Sequence, residues 1–161
     1  MKHTYLFFLT ALLLVNLMGC SAHHVTGQAE NFSFTYESLQ IILGSDASSV
    51  IEALGEPVSY TEEPSCAFAG MDKTYYYGSF YLSTYPLEGK DYVYRIWFAD
   101  DTVATEEGIR IGSQSAQVAQ IYGTDSFNGT NANILVRGNS RLTVLMEEGT
   151  VVSVQYEMVL E

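Results

Sequence analysis

Apolar residues recur at helical spacing in two short stretches of the chain, and a glycine follows each stretch. In both stretches, apolar side chains at positions i, i+3 and i+4 give a helix one apolar stripe. These side chains are Val50, Ala53 and Leu54 in the first stretch and Val118, Ile121 and Tyr122 in the second. The pattern predicts two helices of about ten residues, which are too short to be stable alone, so each is expected to lie on a sheet.

The two stretches carry equivalent boundary signals. Ser45 and Ser113 each follow a glycine and are candidate N-cap residues, because a serine side chain accepts a hydrogen bond from the first turn of a helix. Gly55 and Gly123 stand where a glycine with positive φ ends a helix, and Pro57 strengthens the first stop.

The two stretches also match each other at an offset of 68 residues. Residues 43–55 (LGSDASSVIEALG) align without gaps on residues 111–123 (IGSQSAQVAQIYG), with four of thirteen positions identical. Upstream, Ile41 matches Ile109. We therefore interpret the body of the chain as two copies of one unit.

Alternating apolar and polar residues with turn signals follow each helix. In the second copy, strands are predicted over 133–137, 141–146 and 150–159. The side chains expected to share one face of the last strand are Val152, Val154, Tyr156 and Met158. In the first copy, the predicted strands lie over 74–85 and 92–99, with a further strand at Tyr60 or at 66–70. The predicted fold class is α+β, with two tandem repeats, each a short helix followed by an antiparallel sheet with one covered face and one open face.

The N-terminal segment has the features of an export signal. Residues 5–15 are apolar except for Thr10 and follow Lys2, and they are too short to span about 30 Å of hydrocarbon. The sequence LMGC at 17–20 resembles the lipobox of bacterial lipoproteins, which implies cleavage before Cys20 and its acylation with fatty acids such as palmitate. An ordinary signal peptide, or an N-terminal anchor helix with a chance cysteine, is the alternative.

These features predict a domain organisation and a location. Residues 1–19 are the predicted lipoprotein signal peptide, 20–37 the lipidated cysteine and a flexible tether, 38–104 the first repeat and 105–161 the second. The body is expected on the extracytoplasmic face of the bacterial cell membrane, since two acyl chains on one cysteine give stable anchoring.

Charge narrows the range of partners. The 161 residues include seven Lys and Arg against nineteen Asp and Glu, for a net charge of −12, and removal of 1–19 leaves −13. Nucleic acid is excluded as a partner because phosphate contacts need a basic surface. With Cys20 acylated, Cys66 has no partner for a disulfide, and it is expected to be buried as a small hydrophobe beside Ala67 and Phe68.

Catalytic chemistry has few candidate residues. No histidine follows His24, which argues against Ser-His-Asp and Cys-His arrangements and His-ligated zinc in the body. His23 and His24 are adjacent in the tether and are interpreted as solvated. The acidic pairs are 62–63, 100–101, 106–107 and 147–148, and they too are interpreted as solvated. A calcium site at Asp100, Asp101, Glu106 and Glu107 stays open, without EF-hand spacing to support it. We expect no enzyme activity, cofactor or metal.

Tyrosine supplies the strongest signal for function, since eight of the twelve tyrosines lie between residues 60 and 94. Tyr75, Tyr77, Tyr81 and Tyr85 share one parity with Ser79 and Ser83, whereas Tyr76, Phe80 and Leu82 share the other, which is interpreted as core. A Tyr/Ser face is typical of protein-binding surfaces. The alternative is ordinary stabilisation by cross-strand aromatic pairs. Trp97 is interpreted as a core residue or as the anchor of the same face.

The repeat of a Gly-Ser helix followed by a strand meander resembles the tandem-repeat fold of the beta-lactamase inhibitory proteins. The motifs SCAF at 65–68, DKTY at 72–75, TYP at 84–86 and EGIRIG at 107–112 resemble those of an uncharacterised Firmicutes lipoprotein family. The resemblance implies the architecture of residues 39–160 and no inhibitory residue, because nothing matches the inhibitors' contact loops.

Three functions follow from these features, in order of preference. The first is a membrane-anchored module that binds a protein or cell-wall partner, with inhibition of an extracytoplasmic enzyme as its most concrete form. The second is a structural lipoprotein of envelope assembly. A carboxylate-based hydrolase is a distant third, since it needs two acids fixed across a cleft.

Overall fold

The computed structural model describes residues 30–123 and 131–160. In these ranges the strands are β1 (Ser33–Tyr36), β2 (Leu39–Ile42), β3 (Ser59–Pro64), β4 (Met71–Tyr76), β5 (Phe80–Leu87), β6 (Lys90–Phe98), β7 (Ala132–Arg137), β8 (Ser140–Glu147) and β9 (Thr150–Met158). The helices are α1 (Ser48–Leu54) and α2 (Ser115–Tyr122). The predicted α+β class is confirmed, with strands predominating.

Seven of the strands form one antiparallel sheet in the order β3-β4-β5-β6-β9-β8-β7, and β1 pairs with β2 in a separate hairpin. The strands that follow α1 join those that follow α2 through the β6–β9 pair. This pair places Arg95 opposite Glu157, Ile96 opposite Tyr156 and Trp97 opposite Gln155. One continuous sheet therefore runs through both halves of the chain.

The core lies on the side of the sheet where the β1–β2 hairpin packs. The ring of Phe34 in β1 lies 5.1 Å from Phe80, 5.4 Å from Phe98 and 6.4 Å from Tyr156. The backbone N–H of Phe32 donates a hydrogen bond to Ser140 Oγ at 2.7 Å. Because Phe32 and Phe34 are buried, the tether predicted to extend to residue 37 is too long.

The helices end where glycine was predicted to end them but begin later than predicted. Gly55 and Gly123 have φ of 74° and 80°, and their N–H groups donate to Ile51 and Ala119 four residues earlier. Ser45 and Ser113 are not the N-caps; Ala47 and Gln114 are, without side-chain capping bonds.

Both Gly-Ser pairs are instead fixed to the sheet by equivalent hydrogen bonds. In the first half, Gly44 N–H donates to Val93 O at 2.8 Å and Val93 N–H donates to Ser45 O at 2.9 Å. In the second half, Gly112 N–H donates to Val151 O at 2.8 Å and Val151 N–H donates to the Ser113 carbonyl at 2.8 Å. Because these bonds pair the backbone of each serine with a neighbouring strand, each helix begins after its serine and not at it.

A β-bulge follows each of these valines. Tyr94 in β6 and Val152 in β9 have no partner opposite them, because the register shifts by one residue at both points. A bulge lets two successive residues oppose one on the neighbouring strand. The prediction that Val152 shares the face of Val154 is therefore wrong: Val151 is buried at 1% exposure, whereas Val152 is 39% exposed.

The long strand predicted over 74–85 is in fact the β4–β5 hairpin. Tyr77 N–H donates to Phe80 O at 2.9 Å across a turn in which Gly78 has φ of 90°. Of the two alternatives for a further strand, Tyr60 lies in β3. Cys66 is exposed, contrary to prediction, because it lies in the bends between β3 and β4.

Neither helix of residues 30–123 and 131–160 has the length and apolar character needed to cross a membrane. The predicted signal peptide, Cys20, His23 and His24 lie outside the described residues.

Candidate binding surface on the open sheet face

The two faces of the seven-stranded sheet differ in what they contact. Residues directly opposite each other on paired strands point to the same face. Leu82, Ile96 and Tyr156 occupy one such row and are fully buried in the core that also contains Val50 of α1 and Val118 of α2. The alternating residues of each strand form the other face, which we call the open face.

Three aromatic rings stack across the open face on β4, β5 and β6. The Tyr76 and Tyr81 centroids are 4.4 Å apart with 23° between the planes, and the Tyr81 and Trp97 centroids are 4.7 Å apart with 8° between the planes. All three side chains remain partly exposed. The register continues this aromatic row through Gln155 on β9 to Thr143 on β8.

A group of three charged residues lies beside the aromatic row. Glu157 in β9 is 7% exposed and forms ion pairs with Arg95 of β6, at 3.1 Å, and with Arg141 of β8. Gln155 Nε2 donates a third hydrogen bond to the same carboxylate at 2.6 Å. Pairing makes a buried carboxylate tolerable. With two guanidinium groups sharing one carboxylate, this part of an acidic chain carries a formal charge of +1.

A second aromatic group surrounds Tyr85 further along β5. The ring of Tyr85 lies 5.2 Å from Phe68, 5.8 Å from Tyr92 and 6.2 Å from Tyr94. Burial beneath these rings raises the pKa of the Tyr85 hydroxyl above its usual value. The Arg95 guanidinium lies 5.0 Å from the Tyr94 centroid and so links this group to the charged residues.

The structure divides the predicted binding residues between the two faces. Tyr81, Tyr85 and Trp97 belong to the open face, although Tyr85 is largely covered. Tyr75 lies opposite Leu82 on the core side and Tyr77 packs on Phe80 at 5.5 Å, so the prediction of one shared tyrosine face is wrong. The turn at 77–79 starts a new strand and resets the alternation of side chains.

Several residues of the open face were not predicted. Tyr76 was assigned to the core by its parity, and the strand break at 77–79 places it on the open face instead. Arg95, Arg141 and Glu157 gave no local signal because they meet only through pairing of β6, β8 and β9. The sequence signal that could have pointed to this group was Glu157, an acidic residue among apolar neighbours near the end of the last predicted strand.

Tyr75 instead lines a groove on the helix side of the sheet, of about 600 Å³, with Tyr60, Pro57 and Ile51. The Tyr60 hydroxyl donates to Glu62 Oε2 at 2.5 Å, which raises the pKa of Tyr60. Glu62, like Tyr60, lies in β3.

Three of the four acidic residues considered for calcium accept hydrogen bonds from protein groups. Asp100 Oδ1 accepts hydrogen bonds from the side chain and backbone of Thr102, which lower its pKa. Glu106 accepts a hydrogen bond from Ser33 Oγ at 2.8 Å. Glu107 accepts one from the Tyr122 hydroxyl at 2.7 Å. Within the two described ranges, no three His, Cys, Asp or Glu side chains are grouped as metal ligands.

The side chains of the open face are suited to binding another molecule. Stacked rings supply apolar area with polar edges, and the arginines supply donors for acidic groups.

A scan against models of protein families, a search of curated proteins and a search of solved structures each found no match for this chain.

Proposed function

We propose that this protein is a lipid-anchored, extracytoplasmic lipoprotein that binds a protein partner through the open face of its sheet. The aromatic row of Tyr76, Tyr81 and Trp97, beside Arg95 and Arg141, is the observation that carries this proposal. Tyrosine, tryptophan and arginine are the residues most enriched at the energetic centres of protein interfaces.

Burial supports binding over a purely structural role for the row. The core on the other side of the sheet already contains fully buried side chains in the same strands, including Leu82 and Ile96. The stacked rings stay partly exposed and hold one another in place, so little side-chain entropy is lost when a partner covers them.

Charge favours a partner that presents an acidic group to the centre of the open face. The group of Arg95, Glu157 and Arg141 carries +1 in a chain whose net charge is −12. A local field opposite to that of the surrounding surface orients a partner during association and fixes its register.

We further infer that the body consists of two copies of one unit, as in the beta-lactamase inhibitory proteins. The equivalent bonds of Gly44 and Gly112 to Val93 and Val151 support this, as do the bulges that follow these valines. The β6–β9 pair then joins the copies into one binding surface. By this resemblance, extracytoplasmic enzymes are the first partners to test.

The experiment compares partner capture by three forms of the full chain expressed in its own envelope. The first is the wild type, the second carries Tyr81→Ala with Trp97→Ala, and the third carries Tyr60→Ala. Tyr60 is 45% exposed on the opposite side of the sheet, so it is a matched control. Chemical crosslinking followed by mass spectrometry identifies the captured proteins.

We expect a partner that is crosslinked to the wild type and to Tyr60→Ala and is lost from the double variant. Circular dichroism and thermal unfolding establish that the double variant is folded. A folded double variant that retains every partner contradicts binding through the aromatic row.

A further inference from the structure

A small cavity opens on the same face as the aromatic row, where the chain between β3 and β4 passes over β5. Its volume is about 110 Å³, and the rings of Phe68, Tyr85 and Tyr94 line it together with Asp72 and Cys66. This is roughly four times the 30 Å³ that a water molecule occupies in the liquid. The cavity therefore has room for a group of a few non-hydrogen atoms.

The aromatic walls favour a cation. Phe68 and Tyr85 are 5.2 Å apart, and Tyr94 meets Tyr85 edge to face at 6.2 Å with 77° between the planes. The faces of aromatic rings carry partial negative charge and attract ammonium and guanidinium groups within about 6 Å. Tyr94 already holds the guanidinium of Arg95 at 5.0 Å.

The carboxyl group of Asp72 is part of the cavity lining. Asp72 Oδ1 is buried and accepts no hydrogen bond from the residues that the structure describes. A buried polar atom without a partner is costly, and such atoms in native proteins are usually satisfied by a ligand, a water or an ion. None of the described residues that line the cavity is basic, so a cation that pairs with Asp72 there has to come from another molecule.

We propose that this cavity is a subsite for an alkylammonium group, in which Asp72 accepts its hydrogen bond and Phe68, Tyr85 and Tyr94 surround its charge. The occupant is the end of a lysine side chain of the partner protein, since the cavity opens on the surface proposed to bind that partner. The inference that a partner's lysine supplies the ammonium group rests on the proposed function. The chemistry of the subsite itself does not depend on that function. A partner that fits both features presents a lysine to Asp72 and an acidic group to Arg95 and Arg141.

The probe is n-butylammonium, which has the chain and charge of a lysine side chain, and n-butanol is its neutral counterpart. Saturation-transfer NMR titrations use the full chain in deuterated detergent. We expect saturable binding of n-butylammonium and none of n-butanol over the same concentrations. Equal binding of the two probes, or binding of neither, overturns the subsite.

Two variants locate the binding. Asp72→Asn keeps the shape of the side chain and removes its charge, and it is expected to weaken n-butylammonium binding about tenfold or more. Glu63→Gln is the matched control, because Glu63 lies directly opposite Asp72 on β3 and is exposed. Phe68→Leu, which keeps an apolar side chain but removes the ring, is expected to weaken binding as well. Unchanged affinity in a folded Asp72→Asn chain overturns the assignment.

A last comparison separates this proposal from the proposed function. The chain with Tyr81→Ala and Trp97→Ala should still bind n-butylammonium even where it loses the partner, because neither residue lines the cavity. In the crosslinking experiment, Asp72→Asn should lower the yield of the partner relative to Glu63→Gln. An unchanged yield overturns lysine as the occupant while leaving the proposed function standing.

Discussion

Trp97 lies face to face with Tyr81, its direct neighbour on β5, with 4.7 Å between the ring centroids and 8° between the planes. On its other side Trp97 is opposite Gln155, at the place where β6 meets β9. The only tryptophan of the chain therefore stands where the two halves of the sheet join, and its fluorescence reports on the surface proposed to bind.

The stack of Tyr81 on Trp97 should contribute measurable coupling energy. In a double-mutant cycle with Tyr81→Ala and Trp97→Ala, we expect a coupling of about 0.5–1.5 kcal/mol in the free energy of unfolding. Urea denaturation followed by circular dichroism provides the measurement. A second cycle pairs Trp97→Ala with Tyr60→Ala, on the opposite side of the sheet and two strands further away, where the effects should add within about 0.5 kcal/mol. Additivity in both cycles would show that the stack is incidental.

Glu157 should contribute more to the free energy of unfolding than an exposed glutamate does. Its replacement in Glu157→Gln leaves Arg95 and Arg141 adjacent without a shared carboxylate. Because both arginines are partly exposed, we expect a loss of about 2 kcal/mol in the free energy of unfolding. The control Glu147→Gln changes an exposed residue at the end of β8 and should alter stability by no more than about 0.5 kcal/mol. Equal effects of the two substitutions would refute a stabilising role for the shared carboxylate.

The two Gly-Ser motifs should respond differently to the same substitution. Gly112→Ala places a Cβ in open space at a φ of +88°, so the expected cost is backbone strain of about 1–2 kcal/mol. Gly44→Ala has similar strain at a φ of +80°, and its Cβ would also lie 3.0 Å from Met158 Cε. We expect Gly44→Ala to be the more destabilising by about 1 kcal/mol or more in chemical denaturation. Equal costs would show that the methionine side chain moves away freely.

We expect Asp46 to stabilise the fold less as the pH falls through the acidic range. Hydrogen bonds from the side chain and backbone of Ser48, and then from Lys90, lower the pKa of Asp46 from 3.8 to about 2. A carboxylate with a lowered pKa stabilises the fold above its unfolded pKa and loses that effect as protonation proceeds. The stability difference between the wild type and Asp46→Asn should therefore be full at pH 5 and shrink between about pH 4 and pH 2.

Thermal unfolding at pH 5, 4, 3 and 2 provides the test for Asp46. Asp101→Asn, which changes an exposed residue outside the strands and helices, is measured in parallel as the control for loss of one carboxylate. A difference for Asp46→Asn that does not change over this range would show that its hydrogen bonds are absent in solution.

Acylation at Cys20 is tested by metabolic labelling of cells with a radioactive fatty acid. We expect the label on the wild type and on Cys66→Ala, and its loss from Cys20→Ala, because the resemblance of LMGC to a lipobox implies acylation at Cys20. Retention of label in Cys20→Ala would contradict the predicted lipid anchor.

Local patterns were sufficient to predict most of the secondary structure. The helices over Val50 and Val118 follow from apolar spacing, and their ends follow from glycines that adopt a positive φ without a Cβ clash. The strands of the second half, predicted over 133–137, 141–146 and 150–159, were found within about one residue of their observed bounds. Tight turns between them are signalled by adjacent residues alone.

The identity of the binding face could not be predicted in the same way. Alternation assigns side chains to faces only while a strand continues, and a turn or a bulge resets it. The turn at 77–79 moved Tyr76 to the open face and Tyr75 and Tyr77 to the core side, and the bulge at Val152 exchanged it with Val151. The alternation of apolar and polar residues does not show where the register between two paired strands shifts by one residue.

The sequence by itself determined the α+β class, the two helices and the clustering of tyrosines in one region, because each depends on residues close along the chain. Only the tertiary structure decided that β6 pairs with β9, that Arg95 and Arg141 share Glu157, and that Phe32 enters the core. These contacts join residues between 16 and 108 positions apart along the chain. Their free energy depends on burial and register, which exist only once the sheet has formed.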